Sequence, residues 1–224
     1  MPPGGQQRIP RPATFRPGRP APWTHLAPAR RRLSLADVRE RLSVLPPGAG
    51  PVPLVDGSLP AAVLVPLYDA AGEATVILTK RPDTMPSHQG EISFPGGKFD
   101  PAVDTDLEDT ALREAQEEIG LPPGEVEVVA RLEGIATVAS RFLITPFVGF
   151  LSSRPALTPN PGEVVRVLEV PLSDLMADDV YREEQWDTRG YDFDVHFYEL
   201  SDETVWGATA RVLTSFLAHL VADR

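Results

Sequence analysis

The chain has 224 residues and a formal net charge of −11. This length predicts one domain of ordinary or slightly large size, with room for a substantial core. The absence of cysteine excludes disulfides, thiolate metal sites and a cysteine nucleophile. The acidic balance argues against general nucleic-acid binding. No apolar run approaches the roughly 20 residues that span a bilayer, and no signal segment is visible, so we expect no membrane contact and a cytoplasmic location.

The first 31 residues differ in composition from the rest. They contain eight prolines, several arginines and no acidic residue, without apolar periodicity. Such a segment predicts an extended or disordered arm, because it has few apolar side chains to bury. We therefore expect a basic arm over residues 1–31 and one folded domain over residues 32–224. A neighbouring subunit is one candidate surface for holding the arm, so a homodimer is one candidate assembly.

A helix is predicted to begin at Ser34. Ser34 and Asp37 have the spacing of a capping box, and Leu33 and Val38 are placed to form a hydrophobic staple. Apolar residues then recur at helical spacing, and the Pro-Pro-Gly sequence of residues 46–48 ends the pattern.

Strand signals follow, as short runs rich in Val, Ile, Leu and Thr. The first two runs flank residues 69–72, Asp-Ala-Ala-Gly, which are typical of a hairpin turn. The predicted strands cover residues 61–68, 74–80, 125–132, 143–151, 163–170 and 191–200. A broad apolar stripe over residues 212–221 indicates a closing helix. Together these elements predict an α/β (α+β) fold, an α/β/α sandwich with a mixed central sheet.

Another helix is predicted over residues 106–119. Asp104 and Thr105 are its candidate N-caps, and Gly120 suits the left-handed position past its end. Its apolar face includes Ala115, a small residue that allows close packing against a sheet.

This helix carries three carboxylates, Glu114, Glu117 and Glu118, within about one turn. Glu114 and Glu118 share a strip beside the apolar face, with Glu117 just beyond it. Like charges at this spacing destabilise a helix unless something offsets them, and hard cations such as Mg2+ prefer oxygen ligands. The pattern therefore indicates either a metal site or a solvated acidic face, which is the usual meaning of such runs.

A glycine turn precedes this helix, and together the two segments favour a metal site over a solvated acidic face. Residues 94–97 read Phe-Pro-Gly-Gly, and residues 113–121 read Arg-Glu-Ala-Gln-Glu-Glu-Ile-Gly-Leu. The combination resembles the Nudix box, whose helix half is intact here. The spacing from Gly97 to Arg113 is two positions longer than in that pattern. Counting positions along the motif therefore does not identify the acid that pairs with Arg113. The candidates are Asp104, Asp106 and Glu108.

Residues 77–97 resemble a second signature, that of Nudix enzymes that hydrolyse coenzyme A. The matching positions are Leu78, Thr79, Arg81, Gly90 and residues 94–97. Ile77, Pro82 and Pro86 depart from it. Pro86 stands where the signature has a second arginine, so another cation must take over any phosphate contact made there.

The resemblance implies hydrolysis of the pyrophosphate linkage of coenzyme A or an acyl-CoA, dependent on Mg2+ or Mn2+. The products would be 3′,5′-ADP and 4′-phosphopantetheine. The implied metal ligands are Glu114, Glu118 and the carbonyl of Gly97. Arg113 and Glu117 complete the implied catalytic set, and Glu117 either binds metal or acts as the general base.

The resemblance also implies substrate contacts. The residues concerned are Arg81, Gly90, Phe94, Gly96 and Lys98. A guanidinium such as that of Arg81 can grip a phosphate through two hydrogen bonds. His88 is interpreted as a structural or solvated histidine, and Glu163 as a remote candidate base.

Two other functions stay open. The first is a Nudix enzyme for ADP-ribose, a dinucleotide or another nucleoside diphosphate derivative, which the departure at Pro86 favours. The second is a non-catalytic binding module with a Nudix fold. Such modules commonly lose the acids of the box, whereas this chain keeps Glu114, Glu117 and Glu118.

Overall fold

Twelve strands and four helices form the described part of the chain, which is residues 5, 7, 9–43, 57–84, 88–137, 141–188 and 191–222 of a computed structural model. The helices are α1 (Leu35–Leu42), α2 (Leu107–Ile119), α3 (Leu172–Leu175) and α4 (Gly207–Val221). The strands are β1 (Phe15–Pro17), β2 (Leu59–Ala70), β3 (Glu73–Lys80), β4 (Ile92–Ser93), β5 (Gly96–Lys98), β6 (Val126–Arg131), β7 (Ile135–Ala136), β8 (Phe142–Leu151), β9 (Arg166–Pro171), β10 (Tyr181–Thr188), β11 (Tyr191–Glu199) and β12 (Thr204–Trp206). Within these ranges, none of the helices has the length and apolar character that crossing a bilayer needs.

The main sheet is mixed, as predicted. Its path runs β4-β3-β2-β8-β6, while β5 pairs with β2, β7 with β8 and β9 with β3. The long pairing of β2 with β8 is parallel, and the other pairings in this sheet are antiparallel. The predicted fold class is confirmed.

Each face of this sheet covers its own hydrophobic core, because successive side chains of a strand point to opposite faces. In β2, Val65 and Leu67 belong to the first core, with α1, α3 and α4. Leu64 and Tyr68 belong to the second core, beneath α2. The result is the α/β/α layering, with α2 alone among these helices on the second face.

The first helix and the first hairpin were predicted from short sequence patterns. Ser34 caps α1, with the reciprocal Ser34–Asp37 hydrogen bonds of a capping box. The hairpin between β2 and β3 turns at Ala71 and Gly72, both with positive φ, and the Asp69 carboxylate accepts from the Gly72 N–H. Both predictions are confirmed. Residues 46–48, which were expected to end the helix pattern, lie outside the described residues.

The arm is part of the folded structure. Its β1 pairs with β10 and so forms the edge of a second sheet, ordered β1-β10-β11-β12. Trp23 is fully buried in the first core, where its ring packs against those of Tyr181 and Tyr198. The extended alternative of the prediction is found at β1, and the disordered alternative is wrong for residues 9–31, which contacts within their own chain hold. Contact of the arm with a neighbouring subunit stays a prediction. The boundary between residues 31 and 32 stays a prediction, as does the homodimer.

Charge explains part of this attachment. Three glutamates of the second-sheet region are buried, and each receives a hydrogen bond from the arm. The pairs are Gln7 with Glu203, Arg11 with Glu184 and Arg19 with Glu183. A buried carboxylate needs such partners, because an unpaired one loses its hydration without compensation.

Candidate functional site

Helix α2 begins at Leu107, one residue later than predicted. Asp106 is the N-cap, and its carboxylate accepts from the backbone N–H groups of Glu108 and Asp109, both at 2.9 Å. The prediction of Asp104 or Thr105 as N-cap is wrong. Gly120 ends the helix with φ of 69°, as predicted.

Asp104 has another role, as the acid that pairs with Arg113. Its buried carboxylate accepts from Nε of Arg113 at 2.7 Å and from Nη2 at 3.1 Å. The hydroxyl of Thr110 and the backbone N–H of Asp100 also donate to it. The Arg113 hydrogen bond, with smaller help from these donors, lowers the pKa of Asp104 to about 2. Asp104 is therefore the acid that holds the helix arginine.

Arg113 connects this acid to the carboxylates of α2. Its Nη2 lies 2.9 Å from Oε1 of Glu114, and its Nη1 lies 2.9 Å from Oε2 of Glu117. Nη2 also donates to the carbonyl of Lys98 in β5, at 3.4 Å. One guanidinium thus orients Glu114 and ties α2 to the strand that contains the glycine turn.

We expect Asp104→Asn to lower the free energy of unfolding at neutral pH by about 2 kcal/mol, the scale of a hydrogen bond to a charged group. The folded-state pKa of Asp104 lies below its ordinary value of 3.8, so this stability is present above that pH and is lost as pH falls towards 2. Urea unfolding at pH 7 and at pH 3 measures the difference in free energy of unfolding between wild type and variant at each pH. A difference between wild type and variant that stays constant or grows on acidification would contradict this assignment.

Glu118 is the most deeply buried acid of the helix. It is 4% exposed, and its Oε2 has no hydrogen-bond partner. Burial raises its pKa to about 8, and the nearby charge of Arg81 and the N–H of Gly96 offset this only in part. Burial also raises the pKa of the half-buried Glu114. A divalent cation would compensate two such carboxylates.

The glycine turn brings backbone against these carboxylates. Gly96 has φ of 157°, and a Cβ there would lie 2.4 Å from the carbonyl oxygen of Ala62. A Cβ on Gly97 would lie 2.4 Å from the carboxylate of Glu114. With Glu114 in this position, only glycine leaves room for the Gly97 backbone beside its carboxylate.

A third carboxylate comes from the loop before β9. The backbone N–H of Thr158 donates to the Ile119 carbonyl and that of Asn160 donates to the Glu118 carbonyl, both at 2.8 Å. The loop thereby places Glu163 where its charge raises the pKa values of Glu114 and Glu118. The strand predicted from residue 163 begins at Arg166 because residues 161–163 form a turn. Glu163 was named from the sequence only as a remote candidate, since no local pattern shows this tethering.

The remaining predicted residues divide between the site and its surroundings. Arg81 follows β3, and its buried Nε has no hydrogen-bond partner. Gly90 has φ of 64°. Lys98 is exposed in β5, beside the glycines. Phe94 lies apart from these residues, because its side chain is buried in the first core.

His88 is exposed and pairs with Glu91 at 2.8 Å, in agreement with a structural or solvated role. Pro86 lies outside the described residues. The Glu117 side chain is 54% exposed, and its ion-pair partner is Arg113.

The residues present fit a divalent cation held by few protein ligands. In the described ranges, no three His, Asp or Glu side chains form a cluster that could hold a metal by themselves. Mg2+ usually takes only one or two carboxylates, together with water and substrate phosphate oxygens. Glu114, the unpartnered oxygen of Glu118 and the close Gly97 backbone form a donor set of this kind.

Comparison with known proteins agrees with this geometry. The NUDIX domain matches residues 58–189. The chain is 37% identical over 182 residues to the "Uncharacterized Nudix hydrolase NudL" of Photorhabdus laumondii, covering 81% of this chain and 95% of that protein. It is 42% identical over 195 residues to the "Peroxisomal coenzyme A diphosphatase NUDT7" of Mus musculus, covering 87% and 77%. It is also 44% identical over 162 residues to the chloroplastic Nudix hydrolase 22 of Arabidopsis thaliana, with 68% of this chain and about half (52%) of that protein covered.

Proposed function

The chain belongs to the Nudix hydrolase family, and on that premise we propose that it hydrolyses the diphosphate bridge of coenzyme A or an acyl-CoA with the help of Mg2+ or Mn2+. The observation that carries the proposal is the pair formed by Glu114 and the buried, partly unsatisfied Glu118 beside a glycine turn. Buried polar atoms normally have partners, so an orphaned carboxylate oxygen here favours a ligand.

Two observations support coenzyme A as the substrate. A mouse relative at 42% identity is named as a coenzyme A diphosphatase. In this chain, Arg81 occupies the first arginine position of the corresponding signature, and its side chain makes no hydrogen bond or ion pair to the described residues. A partly buried guanidinium without a partner is available to a phosphate oxygen.

Glu114 and Glu118 would hold the metal, with the Gly97 carbonyl as a third protein ligand. A bound divalent ion supplies charge neutralisation of the diphosphate and lowers the pKa of the attacking water. Arg113 keeps Glu114 oriented, and Asp104 fixes Arg113. Arg81 orients the diphosphate against the carboxylates, which is the main demand of phosphoryl chemistry.

Glu163 is the better candidate for the general base, ahead of Glu117. The carboxylate of Glu117 is exposed and bonded to Arg113. The side chain of Glu163 has no hydrogen bond or ion pair to the described residues, and it acts electrostatically on both Glu114 and Glu118. Its carboxylate is therefore free to accept the proton of the water that attacks phosphorus.

Product analysis in 18O-labelled water tests the function. We expect coenzyme A to give 3′,5′-ADP and 4′-phosphopantetheine, with the label in one product, and activity to vanish with EDTA and return with Mg2+ or Mn2+. A panel with ADP-ribose and dinucleotides tests the alternative that Pro86 favours. A kcat/KM for ADP-ribose about tenfold above that for coenzyme A would reassign the substrate within the family. Calorimetric binding of coenzyme A without turnover of any substrate would favour the non-catalytic module.

A further inference from the structure

Three cationic residues lie close together in the backbone where β3 ends and β9 begins. Lys80 and Arg81 are consecutive in the chain, and Arg166 lies directly opposite Lys80 in the β3–β9 ladder. Because side chains alternate between the faces of a sheet, Lys80 and Arg166 share one face and Arg81 projects toward the other. Their contacts agree, since Lys80 and Arg166 both bind Glu203 whereas the charge of Arg81 acts on Glu118.

Glu203 is the common partner of the first two cations. It is 2% exposed, and its Oε1 lies 2.7 Å from Nζ of Lys80 and 3.3 Å from Nη1 of Arg166. Its Oε2 accepts from the Gln7 side chain at 2.7 Å, and the Gln7 amide oxygen accepts from the backbone N–H of Thr204 at 3.2 Å. Both carboxylate oxygens of Glu203 are therefore bonded, Oε1 to Lys80 and Arg166 and Oε2 to Gln7 of the arm.

The backbone around Lys80 links this cluster to the site. The Lys80 carbonyl accepts from the Val165 N–H at 2.9 Å, and the next N–H, that of Arg81, donates to the Glu91 carbonyl at 3.0 Å. Anchoring Lys80 by its side chain therefore fixes the point from which Arg81 projects.

We propose that Glu203 is a positioning residue for the substrate diphosphate: it anchors Lys80 and Arg166 on one face of the sheet so that Arg81 is held toward the carboxylates on the other. This inference rests on the proposed function, in which Arg81 contacts the diphosphate. The arm takes part, because Gln7 completes the hydrogen bonding of Glu203.

The direction of the effect separates positioning from simple electrostatics. Lys80 is 26% exposed and Arg166 is 48% exposed, so neutralising Glu203 removes the negative charge that pairs with Lys80 and leaves Arg166 with Asp202 as its acidic partner. If Glu203 only masked positive charge, its neutralisation would strengthen binding of an anionic substrate and lower KM. If it positions Arg81, KM rises, because a small misplacement of a binding group weakens its contact.

The test is a double-mutant cycle of Glu203→Gln and Arg81→Ala. It is measured with whichever diphosphate the wild-type enzyme turns over fastest in the substrate panel. We expect Glu203→Gln to raise KM about tenfold with kcat within about twofold, and its effect on KM to disappear in the Arg81→Ala background. Gln7→Ala, a milder change outside the sheet, should raise KM by a smaller factor that also depends on Arg81. It serves as the measured variant if Glu203→Gln does not fold.

Glu184→Gln is the matched control. Glu184 is a buried glutamate of β10, bonded to Arg11, Arg182 and Trp186, none of which is a site residue. We expect it to lower stability but leave KM unchanged. A fall in KM in Glu203→Gln, an unchanged KM, or an equal rise with and without Arg81 overturns the proposal. If the wild-type enzyme turns over other diphosphates but not coenzyme A, only the substrate assignment is overturned. If it turns over none of the diphosphates, the proposed function is overturned as well.

Discussion

Replacing Glu118 with glutamine is expected to reduce kcat by about a thousandfold, the several kcal/mol that metal-assisted charge neutralisation contributes. Glutamine keeps the size of the side chain but removes the charge that a divalent ion needs. The measurement is steady-state hydrolysis of coenzyme A at saturating Mg2+, with calorimetric titration of Mn2+ for metal affinity.

The same substitution should leave the fold intact and make the metal-free protein more stable. Glu118 is buried, and its Oε2 has no partner, so a neutral amide avoids much of the unfavourable burial. Added Mg2+ should raise the melting temperature of the wild type but leave that of the variant unchanged. Gln116→Glu, which changes one charge on the exposed side of the same helix, controls for general electrostatics. Full activity in a folded Glu118→Gln protein would exclude this carboxylate from the metal site.

Gly97→Ala is the second change with a large expected effect. The new methyl group would lie 2.4 Å from the Glu114 carboxylate, far inside contact distance, so Glu114 must leave its place beside Arg113. We expect kcat/KM to fall by about a hundredfold, as a displaced catalytic group commonly causes. Circular dichroism and urea unfolding should show a folded protein.

Gly124→Ala provides the control for the loss of a glycine. Gly124 lies in the short 3-10 turn Pro123–Glu125, and a Cβ there would meet no atom within 4 Å. We expect this variant to match wild-type activity. If Gly97→Ala were equally active, the close approach of backbone and carboxylate would have no role in the reaction.

Sequence reasoning succeeded where the signal was local. The Ser34–Asp37 capping box, the Ala71-Gly72 turn and the left-handed Gly120 each depend on a few consecutive residues. The spacing of Glu114 and Glu118 on one helix likewise sufficed to place them together. The close contact of Gly97 with Glu114 followed from the motif resemblance, since the two residues are far apart in sequence.

The rest required three-dimensional contacts. Asp104, rather than Asp106 or Glu108, holds Arg113 because the longer loop folds back on itself, with Asp100 and Thr110 bonded to the same carboxylate. Counting positions along the motif does not predict the conformation of this loop. Strand β10 was not predicted, because its acidic and basic residues look solvent-exposed until the arm covers them.

The attachment of the arm imposes an order on folding during synthesis. Gly5 bonds to Thr204, a separation of 199 residues, and Arg11 bonds to Glu184, a separation of 173. The arm is synthesised before β10 and β12, so it must wait until those strands have emerged from the ribosome before its partners exist. Such distant pairings fold slowly, because a long loop must close before any contact compensates for its lost entropy. Until then Trp23 lacks Tyr181 and Tyr198, the aromatic residues that help to bury it, so the growing chain depends on prompt synthesis of β10 and β11.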